Sequence, residues 1–168
     1  MIPTIRFRNR LWRVLAPRWA HAPLSGEGAA RHGGRFNERG MPALYLSEDP
    51  MTAFSEYQQE LGVRPGTFCA FDVDVDGVAD LTDAATLAAA GAGTDDLACP
   101  WKEVLLVRRG RPPTWDLVAR LLDAGVAGAR VPSFRRNGGV NLVLWRWNDA
   151  PSRTVKALDP LGDLTRGS

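Results

Sequence analysis

The chain is poor in the residues from which metal sites, disulfide frameworks and redox centres are made. Its 168 residues include two cysteines, Cys69 and Cys99, and two histidines, His21 and His32. Two cysteines cannot build a disulfide framework, and no zinc-ligand spacing exists around them or the histidines. No metal is expected, and a reducing cytoplasm is the simplest setting. Long apolar runs are also missing. The start, "MIPTIRFRNRLWRVLA", carries charges but no signal-peptide core, and nowhere do ~18 apolar residues follow one another. Neither export by an obvious signal nor membrane spanning is expected. Lysine is scarce, at two against nineteen arginines, and the net charge is only +2, which argues against a dedicated nucleic-acid binder. The arginine bias accompanies many Ala and Gly residues, so it reflects GC-rich codon usage as much as selection for anion binding. No Walker A sequence, nucleophile elbow or dinucleotide fingerprint is present, and the glycines of "GEGAARHGG" have the wrong spacing for one.

What is present suits one domain over 1–168, with 45% apolar and 24% charged residues. Short β-like runs alternate with a few helices, which predicts an α+β fold. Strands are expected at "RLWRVLA" (10–16), "PALYLS" (42–47), "TFCAFDVDV" (67–75), "GARVPS" and "VNLVLWRW", with "VADL" continuing the third after a turn at Asp76-Gly77. Asp49 followed by Pro50 is a good N-cap and first-turn pair. The helix they open places Ala53, Phe54, Tyr57 and Leu61 on one face until Gly62 stops it. "DAATLAAAGAGTDD" predicts a short helix and a loose loop. A longer helix over 114–125 has Leu117, Val118, Leu121 and Leu122 at helical spacing and Gly125 as its stop. The last twenty residues, from Asp149, contain proline and are expected to wrap the surface as a tail.

Several apparent motifs have plainer readings. "DVDVDGVADLTD" puts Asp72, Asp74, Asp76 and Gly77 at calcium-loop positions, with Asp83 where Glu is normal. Such a loop follows a helix, whereas alternating Phe68, Ala70, Val73 and Val75 precede it here, so a strand with an acidic solvent face is expected. The basic aromatic N-terminus (Arg6, Phe7, Arg8, Arg10, Trp12, Arg13) can track a phosphate backbone, but an edge strand with its arginines in water is the commoner case. His21 and His32 read as surface or structural histidines. The tryptophans, among them Trp101, Trp145 and Trp147, read as core or rim.

The stretch "RHGGRFNERGMPALYLSE" (31–48) resists such readings, with three glycines and three arginines before a buried strand. It supplies Arg35 in "GGRFN" and Tyr45 in "ALYLS", followed by Glu56 in "AFSEY" and Ser133 in "VPSFRRNGGVNLVLW". These pieces resemble the RES domain family, named for its Arg, Glu and Ser. The resemblance runs from "LWRVL" through "GGRFNERGMPALYLSEDPMTAFSE" to "DAGVAGARVPSF" and "NLVLWRW". It implies the ADP-ribosyltransferase fold, a pinched β-sandwich with flanking helices. It also implies a toxin that consumes NAD and is held in check by an Xre-type helix-turn-helix antitoxin blocking the active site. Growth arrest would follow when the antitoxin is lost.

The chemistry of NAD suits these residue types. Breaking its glycosidic bond passes through an oxocarbenium-like state, so a guanidinium and a carboxylate serve different ends of the molecule. Arg35 can form a fork to phosphate or ribose oxygens, with Gly33-Gly34 letting backbone come near the ligand. Tyr45 can lay its ring against nicotinamide. Glu56, on the flank of its helix, can hold the ribose hydroxyls and balance the charge growing on the sugar. Ser133 can donate to a phosphate, ribose or carboxamide oxygen. Asn37 and Asn141 are expected to close the loops, with Asn141 also touching NAD, and Arg13 to support the pocket floor. Arg31 and Arg39 are left as ordinary loop charges. The acceptor stays open among a protein side chain, water and phosphate. Phe54 stands where arginine-directed transferases carry a first carboxylate, which counts against arginine as acceptor. Two other classes stay open: a nucleic-acid-binding or nuclease toxin using the basic N-terminal strand with Arg135 and Arg136, and a catalytically silent interaction module.

Overall fold

In the computed structural model, which describes residues 1–58 and 62–164, the backbone is organised by one long, bent strand. Strand β1 covers Ile5–Leu15, β2 Leu44–Ser47, β3 Thr67–Asp80, β4 Gly128–Pro132, β5 Val140–Leu144 and β6 Arg153–Ala157. The first part of β3 pairs antiparallel with β1 and β6, and its last residues pair parallel with β4. Gly77 sits between the two parts at φ 80°, in the left-handed region where only glycine is unstrained. Because β1 also touches β2 at Trp12–Ser47, the order β1-β2-β5-β4-β3 closes on itself, with β6 on the outer edge of β3. The expected α+β architecture, a pinched sheet with flanking helices, is the one formed.

The helices are α1 (Glu27–His32), α2 (Pro50–Gln58), α3 (Ala84–Ala89), α4 (Thr94–Leu97), α5 (Trp101–Leu106) and α6 (Pro113–Asp123). Asp49 caps α2 as expected, accepting from the Thr52 N–H at 2.8 Å. Ala53 is buried under α2; Leu61, expected on the same face, lies outside the described residues. Asp83, the last position of the apparent calcium loop, is the N-cap of α3 and accepts from the Thr86 N–H at 2.8 Å. The run before it is strand, as the alternation predicts. Helix α6 lays Leu117, Val118 and Leu121 on one side of the sheet beside Val131 and Val143. On the other side, Leu11, Leu46, Phe71 and Leu142 form a second core. Each such side chain stabilises by roughly 1.5–3 kcal/mol when fully buried, so the two layers dominate folding.

Two expectations need correction, and one helix has no counterpart among them. The last twenty residues are not all a surface tail: β6 lies within them, and Val155 is 1% exposed against β3. Alternation over only five residues after a proline is too short to distinguish from a loop. Helix α5 was not foreseen, although Trp101, Val104 and Leu105 have helical spacing. The arginines of β1 do not simply face water. Arg6 and Arg8 donate to Asp74 at 2.7 and 2.9 Å, and Arg10 to Asp72 at 3.0 Å, so the basic strand is matched to the acidic face of β3. The Arg6 hydrogen bond holds the half-exposed Asp74 carboxyl down at about 2.

Candidate active site

The segment 33–40 is a loop that the rest of the protein pins down one atom at a time. Asn37 is fully buried, and its amide nitrogen lies 2.9–3.1 Å from the carbonyls of Ala29, Glu38 and Met41. Its carbonyl oxygen accepts from the Tyr45 hydroxyl at 2.7 Å, and that hydroxyl accepts from the Phe36 N–H at 3.1 Å. Indole N–H groups finish the job: Trp115 donates to Gly34 O and Trp145 to Phe36 O, each at 2.8 Å. Leaving one such buried carbonyl unpaired costs about 1–3 kcal/mol, so the loop is held far more firmly than its glycines suggest.

Gly34 has a different role from the one expected. A Cβ there would come within 2.6 Å of both the Tyr45 hydroxyl and Asn37 Oδ1. Its missing side chain makes room for the Tyr45–Asn37 bond rather than for a ligand. Burial also pushes the Tyr45 hydroxyl well above its usual range, so it stays protonated, and the hydroxyl is already paired. What Tyr45 offers a ligand is its ring.

Beside this loop lies a cavity of about 560 Å3, within the roughly 300–1,000 Å3 usual for ligand clefts. Arg13, Arg35, Tyr45, Glu56 and Asn141 all line it. Glu56 enters from α2, where Thr52 and Ala53 are buried below it. Its Oε1 accepts from Ser133 Oγ and from Asn141 Nδ2, both at 2.7 Å. Ser133 itself accepts from the N–H groups of Arg135 and Arg136 at 3.2 and 3.1 Å. Ser133 and Asn141, expected to donate to a ligand, therefore donate to the carboxylate instead.

Arg35 reaches the same cavity from the pinned loop. Its Nη1 donates to Leu97 O at 2.9 Å and to Cys99 O at 2.5 Å, and its guanidinium lies 4.6 Å from the Phe134 ring centre. Burial lowers its pKa, yet an arginine still keeps its charge near neutrality. Part of the expected fork is thus spent on backbone, while the Nη2 edge is not used on these carbonyls. Arg13 shows the same habit, with Nη1 donating to Pro23 O at 3.2 Å and to Ser25 O at 3.4 Å, and burial again lowers its pKa. It lines the cavity while being held on backbone at its own end.

The opposite wall was missed in the sequence. Trp101, Leu105 and Leu106 of α5 line the cavity, although α5 buries none of its residues. The segment carrying it is tied at both ends to the pinned loop: Arg35 holds Leu97 and Cys99 before it, and Glu38 pairs with Arg111 after it. Arg39, an ordinary loop charge by its sequence, also lines the cavity, whereas Arg31 makes an exposed 3.7 Å pair with Glu27 and lies 5.8 Å from the Trp19 ring centre. Ser47, which no local pattern marks, donates to Asn141 Oδ1 at 2.7 Å. Among the described residues no group of three or more His, Cys, Asp or Glu is placed to hold a metal, and no helix is long and apolar enough to cross a membrane.

The class of protein is thus a small α+β fold whose bent, ring-closed sheet carries a carboxylate and a guanidinium in one cleft. The RES domain family model matches residues 10–166, and the chain belongs to that family. Among solved structures it is similar to a chain of the M. tuberculosis MbcT–MbcA toxin–antitoxin complex. The two share 25% identity and superpose with a TM-score of 0.64, over 94% of this chain and 87% of the other. No curated protein matches the sequence significantly.

Proposed function

We propose that this RES-domain protein is the toxin of a toxin–antitoxin pair and that it cleaves NAD at the nicotinamide–ribose bond. The observation that carries the reading is Glu56, lining the same cavity as Arg35 and held on one oxygen by two directed donors. The Nη2 edge of Arg35 takes the pyrophosphate, the Tyr45 ring lies against nicotinamide, and Glu56 holds the ribose hydroxyls. The glycosidic C–N bond breaks with its electron pair going to nicotinamide, which leaves neutral and needs no acid. Positive charge then grows on the sugar, facing Glu56, whose fixed carboxylate stabilises it without reorganising. An oxygen of water or phosphate, or a nucleophilic side chain of a protein target, bonds to the sugar carbon and releases its proton. Phe54 in place of a first carboxylate weighs against arginine as that acceptor.

An Xre-type antitoxin covering the cavity mouth fits the apolar rim, where Leu106, Val107 and Phe134 are 64%, 75% and 41% exposed. The nucleic-acid reading loses its main support, because Arg6, Arg8 and Arg10 are engaged with Asp72 and Asp74.

The test is to incubate antitoxin-free protein with NAD labelled on its adenylate, with and without phosphate and lysate, and to follow nicotinamide and label. Nicotinamide release is expected, and the label's destination identifies the acceptor. If fresh, folded protein releases none, the reading is wrong.

A further inference from the structure

Glu56 is an acceptor and nothing else when ionised, so the groups around it must be oriented by something other than the carboxylate's own preference. Two arms do this. In the first, both oxygen lone pairs of Ser133 are taken up by the N–H groups of Arg135 and Arg136, which leaves its proton directed at Glu56 Oε1. The second arm runs through the sheet. Ser47 and Asn141 stand directly opposite each other where β2 pairs with β5, a register fixed by the apolar pairs Leu44–Leu144 and Leu46–Leu142. Ser47 is only 4% exposed and its hydroxyl donates to Asn141 Oδ1 at 2.7 Å, while Asn141 Nδ2 donates to Glu56 Oε1 at 2.7 Å.

The direction of this second arm follows from the acceptor at its end. Asn141 must turn its NH2 toward Glu56, which leaves Oδ1 pointing into the sheet, where it needs a donor or is left unpaired at a cost of about 1–3 kcal/mol. Ser47 is that donor. Without it, the amide relieves its unpaired oxygen by turning away, and Glu56 loses one of the two bonds that fix Oε1 and keep the second oxygen available to a ligand. Among the described residues, the charged and titratable groups that act on this corner are Arg35 from the pinned loop and Tyr45 from β2, with Arg135 acting on Arg35 from the loop after β4. Arg35 donates to Leu97 O and Cys99 O and the Tyr45 hydroxyl donates to Asn37, whereas Oδ1 of Asn141 accepts from Ser47.

We infer that Ser47 is a positioning residue for the Glu56 carboxylate, acting through Asn141; its effect on turnover rests on the NAD-cleaving reading above. The full chain is tested by nicotinamide release in a double-mutant cycle. Ser47→Ala should lower kcat about tenfold with KM nearly unchanged, the scale of a small misplacement of a reacting group. Ser47→Thr, which keeps the hydroxyl, should restore most of it. In an Asn141→Ala background, Ser47→Ala should cost nothing further. An equal loss in both backgrounds would show that Ser47 acts by another route and overturn the inference.

A second measurement does not need turnover. The Asn141 side-chain amide, identified in nitrogen-edited NMR by its loss in Asn141→Asp, should exchange slowly with solvent in the wild type and in Ser47→Thr, and quickly in Ser47→Ala. If no NAD is cleaved, the proposed function fails while this readout still decides the orientation. Unchanged exchange in Ser47→Ala refutes the positioning role whatever the protein does to NAD.

Discussion

The two charged walls of the cavity are built on different principles. Glu56 is fixed by side chains that come from the sheet and its loops, Ser133 after β4 and Asn141 on β5, and each bond ends on the carboxylate itself. Arg35 is fixed by backbone carbonyls of the segment that leads into α5, so each bond also restrains a piece of the opposite wall. The carboxylate is held for its own sake, whereas the guanidinium is a joint between the pinned loop and a helix with no buried residues. A ligand anion that draws Arg35 away from Leu97 and Cys99 therefore competes with the hold on that segment, while a ligand that meets the second oxygen of Glu56 leaves the Ser133 and Asn141 bonds to the first in place.

Removing the carboxylate charge is the most severe test of this contrast. Glu56→Gln keeps an oxygen that accepts from Ser133 and Asn141, so the fold should melt at nearly the wild-type temperature. Nicotinamide release should nevertheless fall roughly 100–1,000-fold, the scale of losing one preorganised electrostatic group. A large drop in melting temperature would mean that Glu56 is a structural residue.

Arg35→Lys comes next, with a loss of about 10–100-fold, because an ammonium cannot hold carbonyls and a phosphate as a planar fork does. Its signature is different in kind. Backbone amides over 97–107 should exchange faster in Arg35→Lys and not in Glu56→Gln, which hydrogen-exchange mass spectrometry resolves. Equal exchange in the two variants would erase the distinction between the walls.

The smallest effect is expected far from the cavity, on the matched charges of β1 and β3. Asp74→Asn removes the partner of two exposed arginines and should leave NAD turnover unchanged, with little change in melting, as exposed ion pairs contribute little. The pH sign follows from the lowered carboxyl. Whatever Asp74 contributes is present above the ordinary carboxylate range near 4 and is lost as pH falls toward about 2. Any difference in melting temperature between wild type and Asp74→Asn should therefore shrink over that interval. A difference that grows on acidification contradicts the pairing.

Much of the frame was legible from local chemistry. The Asp49-Pro50 start of α2, the spacing of Leu117, Val118 and Leu121 in α6, and the alternation through β3 each depend on a few neighbouring residues, and each formed where expected. Arg35, Tyr45, Glu56, Asn141 and Arg13 do line one cavity. What the local pattern misassigned was partnership. Gly34 was read as making room for a ligand and makes room for Tyr45 and Asn37. Ser133 and Asn141 were read as ligand contacts and reach the carboxylate first. Helix α5 escaped because it is only six residues long and buries none of them, with Trp101, Leu105 and Leu106 facing the cavity, so only a short run of helical spacing marks it.

The chain by itself determined which residue types stand in which order, and with them the family and the two opposite charges that its chemistry needs. Only the tertiary structure decided which oxygen meets which proton. Ser133 lies 77 residues from Glu56 and Asn141 lies 85, and Ser47 meets Asn141 across 94 residues through one strand register. A hydrogen bond is set by a few tenths of an ångström between atoms that the sheet brings together, and no periodicity along a chain carries that distance.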